Sequence, residues 1–335
     1  MKSPRFLAIL RLGRIEFAGS LFAVAVSGAL SAGRASLADL SVLLGVAVLT
    51  DLWGFIHNDL CDLVTDRRSA DLADRPLVSG AVSTRTAAWT IALAIAGSVM
   101  LVAGYEQDVW AVAILTAAIV AAWLYNRFSK TLPGSDVLFG ASPALLVLLG
   151  ARLADGGGGV GGPLVWVVVA IHFFDHVLFN AGATLKDVRN DRDLRLSTAA
   201  TVLGVWVGQD NSLHMTRRFV VYIVLLRLLG AGVVLSCPWW AGLSPSAGRL
   251  AVLVVATAAS LALTIRAVCL RVFDRGTIGR RWIQQDLAGK LLVPLLLAGV
   301  AGPAWAIFLV AVPIGWFFLC NVGLYGRGLS LRQEF

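Results

Sequence analysis

The sequence predicts an all-α, polytopic membrane protein, and two observations do so. Of 335 residues, 58% are hydrophobic and only 14% charged, where a soluble domain carries about 25% charged residues. Mean hydropathy is +0.80. The apolar residues also gather into runs of the roughly 20 needed to cross a bilayer. The charge deficit holds along the whole length, so residues 1–335 read as a single transmembrane domain with the lipid bilayer as its solvent. The net charge of +8 does not point to nucleic acid, because no basic patch is interleaved with exposed aromatics. Cys61, Cys237, Cys269 and Cys320 show no C-x-x-C spacing and imply neither a disulfide framework nor a zinc site.

Spans are expected near 15–32, 40–57, 84–104, 109–126, 135–151, 164–182, 218–236 and 249–268. The first lacks a small-residue cleavage signal and is followed by many more, so it reads as a retained span. The last apolar stretch, 287–324, is too long for one span. It fits one span plus a half-helix, or a hairpin turning at Gly302-Pro303.

Lys and Arg favour the cytoplasmic side of short loops. They cluster in the N-terminal tail (Lys2, Arg5, Arg11, Arg14), in the polar loops near 58–83 and 183–217, after the fourth span (Arg127, Lys130) and in a loop over 269–286 (Arg271, Arg275, Arg280, Arg281). The connections at 33–39, 105–108, 152–163 and 237–248 are short and nearly uncharged. The N-terminus is therefore expected inside, and Arg327 and Arg332 put the C-terminus there too, which favours the hairpin. The glycine run 156–162 lacks the G-K-[ST] ending of a phosphate loop and reads as a flexible connector.

Two acidic clusters fall on the inner side. In N58-D59-L-C-D62-L-V-T-D66, Asn58, Asp62 and Asp66 recur every four residues. A helix continuing past the membrane surface would carry all three on one face. Like charges at that spacing repel, and a divalent cation is the natural counterweight. Mg²⁺ prefers oxygen and typically takes one or two carboxylates, waters and substrate phosphate oxygens. The second cluster, K186-D187-V-R-N-D191-R-D193, repeats the spacing in Asp187 and Asp191. Converging, the two would hold Mg²⁺ and a diphosphate. The plain alternative, solvated loop ends, leaves unexplained why the spacing occurs twice, each time where topology calls for basic residues. Arg75, in R-P-L-V-S-G before the third span, Lys130, Lys186 and, at the mouth of the first span, Arg11 are candidate diphosphate partners.

The pattern N58-xxx-D62-xxx-D66, then R75-P-L-V-S-G, then D187-xxx-D191, resembles the UbiA superfamily of intramembrane prenyltransferases. Y125-N-R-F-S-K130 is similar to that family's Tyr-to-Lys segment, and S197-T198-A follows the second motif after a shortened connection. Where the family often has a further acidic residue after its second motif, Asn190 and Leu194 stand in the neighbouring places. The resemblance implies about nine helices around a central cavity, with Mg²⁺ bridging both motifs and a prenyl diphosphate. It makes Asn58, Asp62, Asp66, Asp187 and Asp191 the metal ligands, with the four aspartates catalytic. Asp59 points off their face and is expected to hold loop structure.

The activity expected is Mg²⁺-dependent transfer of an isoprenoid chain to a small, aromatic acceptor, its proton leaving to a carboxylate such as Asp191 or Asp193. The expected setting is a bacterial plasma membrane, with the site facing the cytoplasm. A terpene cyclase, acting without acceptor, is the alternative. A transporter is a third reading, but transport sites sit near the bilayer midplane, and the span interiors here are nearly uncharged. Asp51, His57, His172, Asp175 and His176 are the exceptions. Asp51 reads as cavity-facing, below the first motif. His172, Asp175 and His176 read as polar cavity lining, or else as a metal site by their i, i+4 histidines.

Overall fold

The computed structural model describes residues 5–33, 35–67, 72–154, 160–242 and 245–326. Residues 156–159 of the glycine run, and Lys2, Arg327 and Arg332 of the topological reading, lie outside them. The chain opens with α1 (Arg5–Leu12), a 3₁₀ turn at Ile15–Phe17 and α2 (Ala18–Ser31). Then come α3 (Leu37–Asp66), α4 (Thr84–Glu106), α5 (Val109–Phe128), α6 (Asp136–Ala154) and α7 (Pro163–Ala183). A 3₁₀ turn at Thr184–Asp187 leads into α8 (Val188–Asp193), α9 (Ala199–Val202) and the two-residue strands β1 (Trp206–Val207) and β2 (Leu213–His214). The antiparallel β1–β2 pair sets Trp206 opposite His214 and Val207 opposite Leu213. The chain ends with α10 (Arg217–Trp240), α11 (Ala247–Val268), α12 (Arg275–Lys290), α13 (Leu292–Leu297) and α14 (Pro303–Tyr325).

Eight helical segments are long and apolar enough to cross a membrane, and Ile15–Ser31 forms a shorter ninth. They match the spans expected from hydropathy. Their outward faces leave large apolar residues such as Trp89, Leu93, Val255, Ile307 and Leu319 exposed. In water that much apolar surface is a liability; in hydrocarbon it is the solvated face.

Ser36 starts α3 with a capping box. Its hydroxyl accepts from Asp39 N (3.1 Å), and Asp39 Oδ2 accepts from Ser36 N (2.7 Å). Asp39 Oδ1 also accepts from Tyr105 Oη (2.7 Å), tying the start of α3 to the end of α4. With 30 residues, α3 is about 45 Å long, against a hydrocarbon core of roughly 30 Å. The surplus is what carries Asn58 to Asp66 beyond the apolar layer.

α2 and α6 touch at backbone distance. A Cβ at Gly28 would collide with the Val147 carbonyl, and one at Gly150 with the Ala25 carbonyl, the small-residue packing membrane helices use. At the end of the bundle away from the acidic motifs, Asp108 caps α5 and pairs with Arg152 of α6 (2.5 Å). The Arg152 hydrogen bond holds the Asp108 carboxyl below its usual range.

The last apolar stretch reverses at Gly302, with φ of 96°, and Pro303 opens α14. This is the hairpin. The region expected as a loop over 269–286 is corrected: most of it is helix α12. Its mean composition is too polar for hydropathy to mark, yet Ile278, Trp282, Gln285 and Gly289 form a buried stripe at helical spacing. The Trp282 ring lies against Gly182 at the end of α7, where a Cβ would strike it.

Candidate active site

The last turns of α3 place Asn58, Asp62 and Asp66 along one side. Each carboxylate there meets a cation from another element. Lys130 Nζ lies 2.9 Å from Asp62 Oδ1, and Arg75 Nη1 lies 2.7 Å from Asp66 Oδ2. Asp59, off that face, is gripped by Arg14 (3.2 Å) and Arg75 (3.5 Å). It ties the N-terminal turn to the loop, the structural part expected of it. Arg75 is held by its own backbone. Its amide donates to Leu72 O, its carbonyl accepts from Ser79 N, and Val82 N donates to Pro76 O. Gly80, at φ 76°, closes the turn, a conformation costly for other residues.

The second motif is built from shorter pieces. Asp187 ends a 3₁₀ turn and pairs with Arg275 at the start of α12 (2.6 Å). Asp191 is buried on α8 and accepts from Thr198 Oγ1 (3.1 Å). Thr184 Oγ1 accepts from Ala200 N (3.1 Å), which docks α9. Arg189 reaches Asn211 Oδ1 (2.6 Å) and Arg192 reaches Val205 O (3.1 Å), pinning α8 to the hairpin segment.

The two motifs meet through Lys130. Its amine holds Asp62, and its carbonyl accepts from Ser197 N (2.8 Å), next to the Thr198 that holds Asp191. The charges of both Lys130 and Asp62 act on Asp191. Lys186 lies within electrostatic reach of Arg14, Arg75 and Arg275 as well as Asp187, and it has no ion pair among the described residues. Five cations, Arg14, Arg75, Lys130, Lys186 and Arg275, thus gather at the two acidic motifs.

The donor set suits a hard divalent ion. All candidate ligands are oxygens, and Asn58 Oδ1 is buried with no hydrogen-bond partner among the described residues. No three His, Cys, Asp or Glu side chains converge at ligand distance among the described residues. Mg²⁺ does not need such a cage, since it usually keeps waters and phosphate oxygens in its shell.

Arg11 is placed elsewhere. Its guanidinium bonds the Leu324 carbonyl and lies over the Tyr325 ring, fastening the end of α14. Its charge, read from sequence as a diphosphate partner, satisfies a helix C-terminus. Asp51 turns to the N-terminal segment, where the Ala18 amide bonds it and Glu16 and Arg14 are its charged neighbours. The His172, Asp175, His176 group divides. His172 Nε2 is 3.1 Å from Ser27 Oγ, and His176 Nδ1 donates to the His172 carbonyl. Asp175 pairs with Arg227 of α10 (2.7 Å). The three do not form a metal site.

Sequence reasoning missed Arg14 and Arg275 as partners, since basic residues near spans read first as topological signals, and Thr198, whose hydroxyl carries no charge to mark it. It also missed a partly buried relay in which Tyr125 Oη donates to Asn180 Oδ1 and Asn180 Nδ2 to Asp136 Oδ1, both at 2.6 Å.

A lipid-facing helical bundle with two acidic motifs at one end defines a class of intramembrane fold, and comparison assigns it. Residues 20–282 match the UbiA prenyltransferase family, and the chain belongs to that family. Solved structures agree in fold. A UbiA homolog from Aeropyrum pernix K1 superposes with TM-score 0.62 at 21% identity, covering 91% of this chain and 98% of that one. Digeranylgeranylglyceryl phosphate synthase gives 0.66 at 14% identity, covering 89% and 99%. A UbiA homolog from Archaeoglobus fulgidus bound to DMAPP and Mg²⁺ gives 0.61 at 17% identity, covering 85% and 98%. No curated protein sequence matches the chain significantly.

Proposed function

We propose that this protein transfers an isoprenoid chain from a prenyl diphosphate to a small, aromatic acceptor within the membrane, with Mg²⁺ as cofactor. The observation that carries this reading is the set of cations, Arg75 on Asp66, Lys130 on Asp62 and Arg275 on Asp187, gathered on the carboxylates of two acidic motifs. Metal ions taken by those carboxylates would free the cations to bind a polyanion. The Archaeoglobus homolog bound to DMAPP or GPP with Mg²⁺ supports a prenyl diphosphate in that role.

Asn58, Asp62, Asp66, Asp187 and Asp191 would hold the metal, and Arg75, Lys130 and Lys186 the diphosphate oxygens. Mg²⁺, when bound, supplies Lewis-acid stabilisation of the leaving group. The C1–O bond breaks with its electron pair leaving on diphosphate. The apolar interior keeps water from the allylic cation. The acceptor's electron pair then forms the new bond to C1, and its proton passes to a nearby carboxylate such as Asp191 or Asp193. Arg11 is left out of this set, because it is engaged at Leu324. The lysines and arginines at the site's end of the bundle support a cytoplasmic orientation.

The test supplies purified protein with Mg²⁺ and labelled prenyl diphosphates, with and without aromatic acceptors. Product that forms only with both acceptor and Mg²⁺ is expected. A terpene formed from donor alone would replace transfer by cyclisation, and turnover surviving thorough chelation would overturn the metal mechanism.

A further inference from the structure

Outside the acidic site, a cavity of about 360 Å³ is lined by Arg266, Thr277, Arg280, Arg281 and Gln284. That lies within the roughly 300–1,000 Å³ range of small-ligand sites. Three of its five lining side chains are arginines from two helices, Arg266 from the last turn of α11 and the others from α12. None of the three makes an ion pair among the described residues. Arg280 Nη2 donates to Thr277 Oγ1 (2.9 Å), which orients its guanidinium. The nearby carboxylate, Asp274, caps α12 by accepting from Thr277 N (2.7 Å) and feels the charge of Arg280.

The cavity lies at the same end of the bundle as the acidic motifs, since Arg275 of the same helix turn holds Asp187. It sits on a different face of α12 from the buried stripe of Ile278, Trp282, Gln285 and Gly289 that packs inward. Thr277, Arg280, Arg281 and Gln284 share one helix face by their i, i+3, i+4 and i+7 spacing. Continuing along that side, Leu287 (54% exposed) and Leu291 (43%) present bare aliphatic surface. A forked cationic head above an exposed apolar strip matches one kind of ligand: a phosphate with acyl chains attached. Guanidinium groups bind phosphate oxygens in bidentate fashion, and basic pockets between membrane helices take lipid headgroups.

We propose that this α11–α12 cavity binds the phosphate headgroup of an anionic phospholipid, independently of prenyl transfer. The test uses the full chain in phosphatidylcholine nanodiscs doped with phosphatidylglycerol, with bound lipid read by native mass spectrometry. The wild type is expected to retain phosphatidylglycerol over phosphatidylcholine. Arg266→Gln/Arg280→Gln/Arg281→Gln should lose roughly a hundredfold in apparent affinity, while the corresponding triple lysine variant keeps most of it. Should the triple glutamine variant fail to fold, Arg266→Gln alone, at an exposed helix end, carries the comparison. Equal retention by glutamine variants and wild type would overturn the site. Displacement by excess glycerol 3-phosphate would overturn the lipid as its source and leave a soluble phosphate ester.

Discussion

The two acidic motifs carry the same residue type at the same spacing, yet they are built differently. Asn58, Asp62 and Asp66 ride on the end of a 30-residue helix. Its direction is set by the membrane-buried turns below, so the motif inherits rigidity from the span. Asp187 and Asp191 ride on a 3₁₀ turn and a six-residue helix, and helices that short are unstable alone. Their geometry is imposed from outside, by Arg275, Thr198, Thr184 and the hairpin. The first motif is therefore a property of one helix, the second a property of several contacts.

The strongest way to break the comparison is to remove one carboxylate from each motif. Asp62→Ala and Asp187→Ala are each expected to cut turnover by about 10²–10³-fold or more, on the scale of losing one key electrostatic group. Both should keep the wild-type elution profile in detergent. EDTA should abolish wild-type turnover to the same extent. Full activity in both variants would dissolve the shared site.

Arg275→Gln separates the motifs. It should lower kcat/KM for the donor by about 10-fold or more, as loss of a charge-assisted contact does, with partial recovery in Arg275→Lys. Wild-type kinetics in Arg275→Gln would remove Arg275 from the positioning of Asp187. Thr198→Val takes away one hydrogen bond to Asp191 and is expected to cost about 1 kcal/mol of local order, a several-fold fall in rate. Smallest is Tyr105→Phe, far from both motifs, which should lower thermal stability by about 1 kcal/mol through loss of the Asp39 contact and leave kinetics alone.

Most of the spans were legible because crossing a bilayer demands a long apolar run, and hydropathy records that directly. The first motif was legible because a 3.6-residue period places Asn58, Asp62 and Asp66 together without any other element. α12 escaped because its few apolar residues are interspersed with arginine, glutamine, aspartate and glycine, so no long apolar run marks it. Arg11 and Arg275 were misweighted against each other. Both read as basic residues at a membrane edge, and nothing local distinguishes the one that bonds Leu324 from the one that bonds Asp187.

By itself the amino-acid order determined the membrane class, the near positions of the spans, the turn at Gly302-Pro303 and the oxygen-rich chemistry of two clusters, all consequences of solvent and of helical period. Only the tertiary structure decided which cation serves which carboxylate and that Lys130 joins motifs more than a hundred residues apart in the chain. Those pairings depend on where unrelated helix ends come to rest, and side-chain charge is the same wherever a residue stands in the sequence.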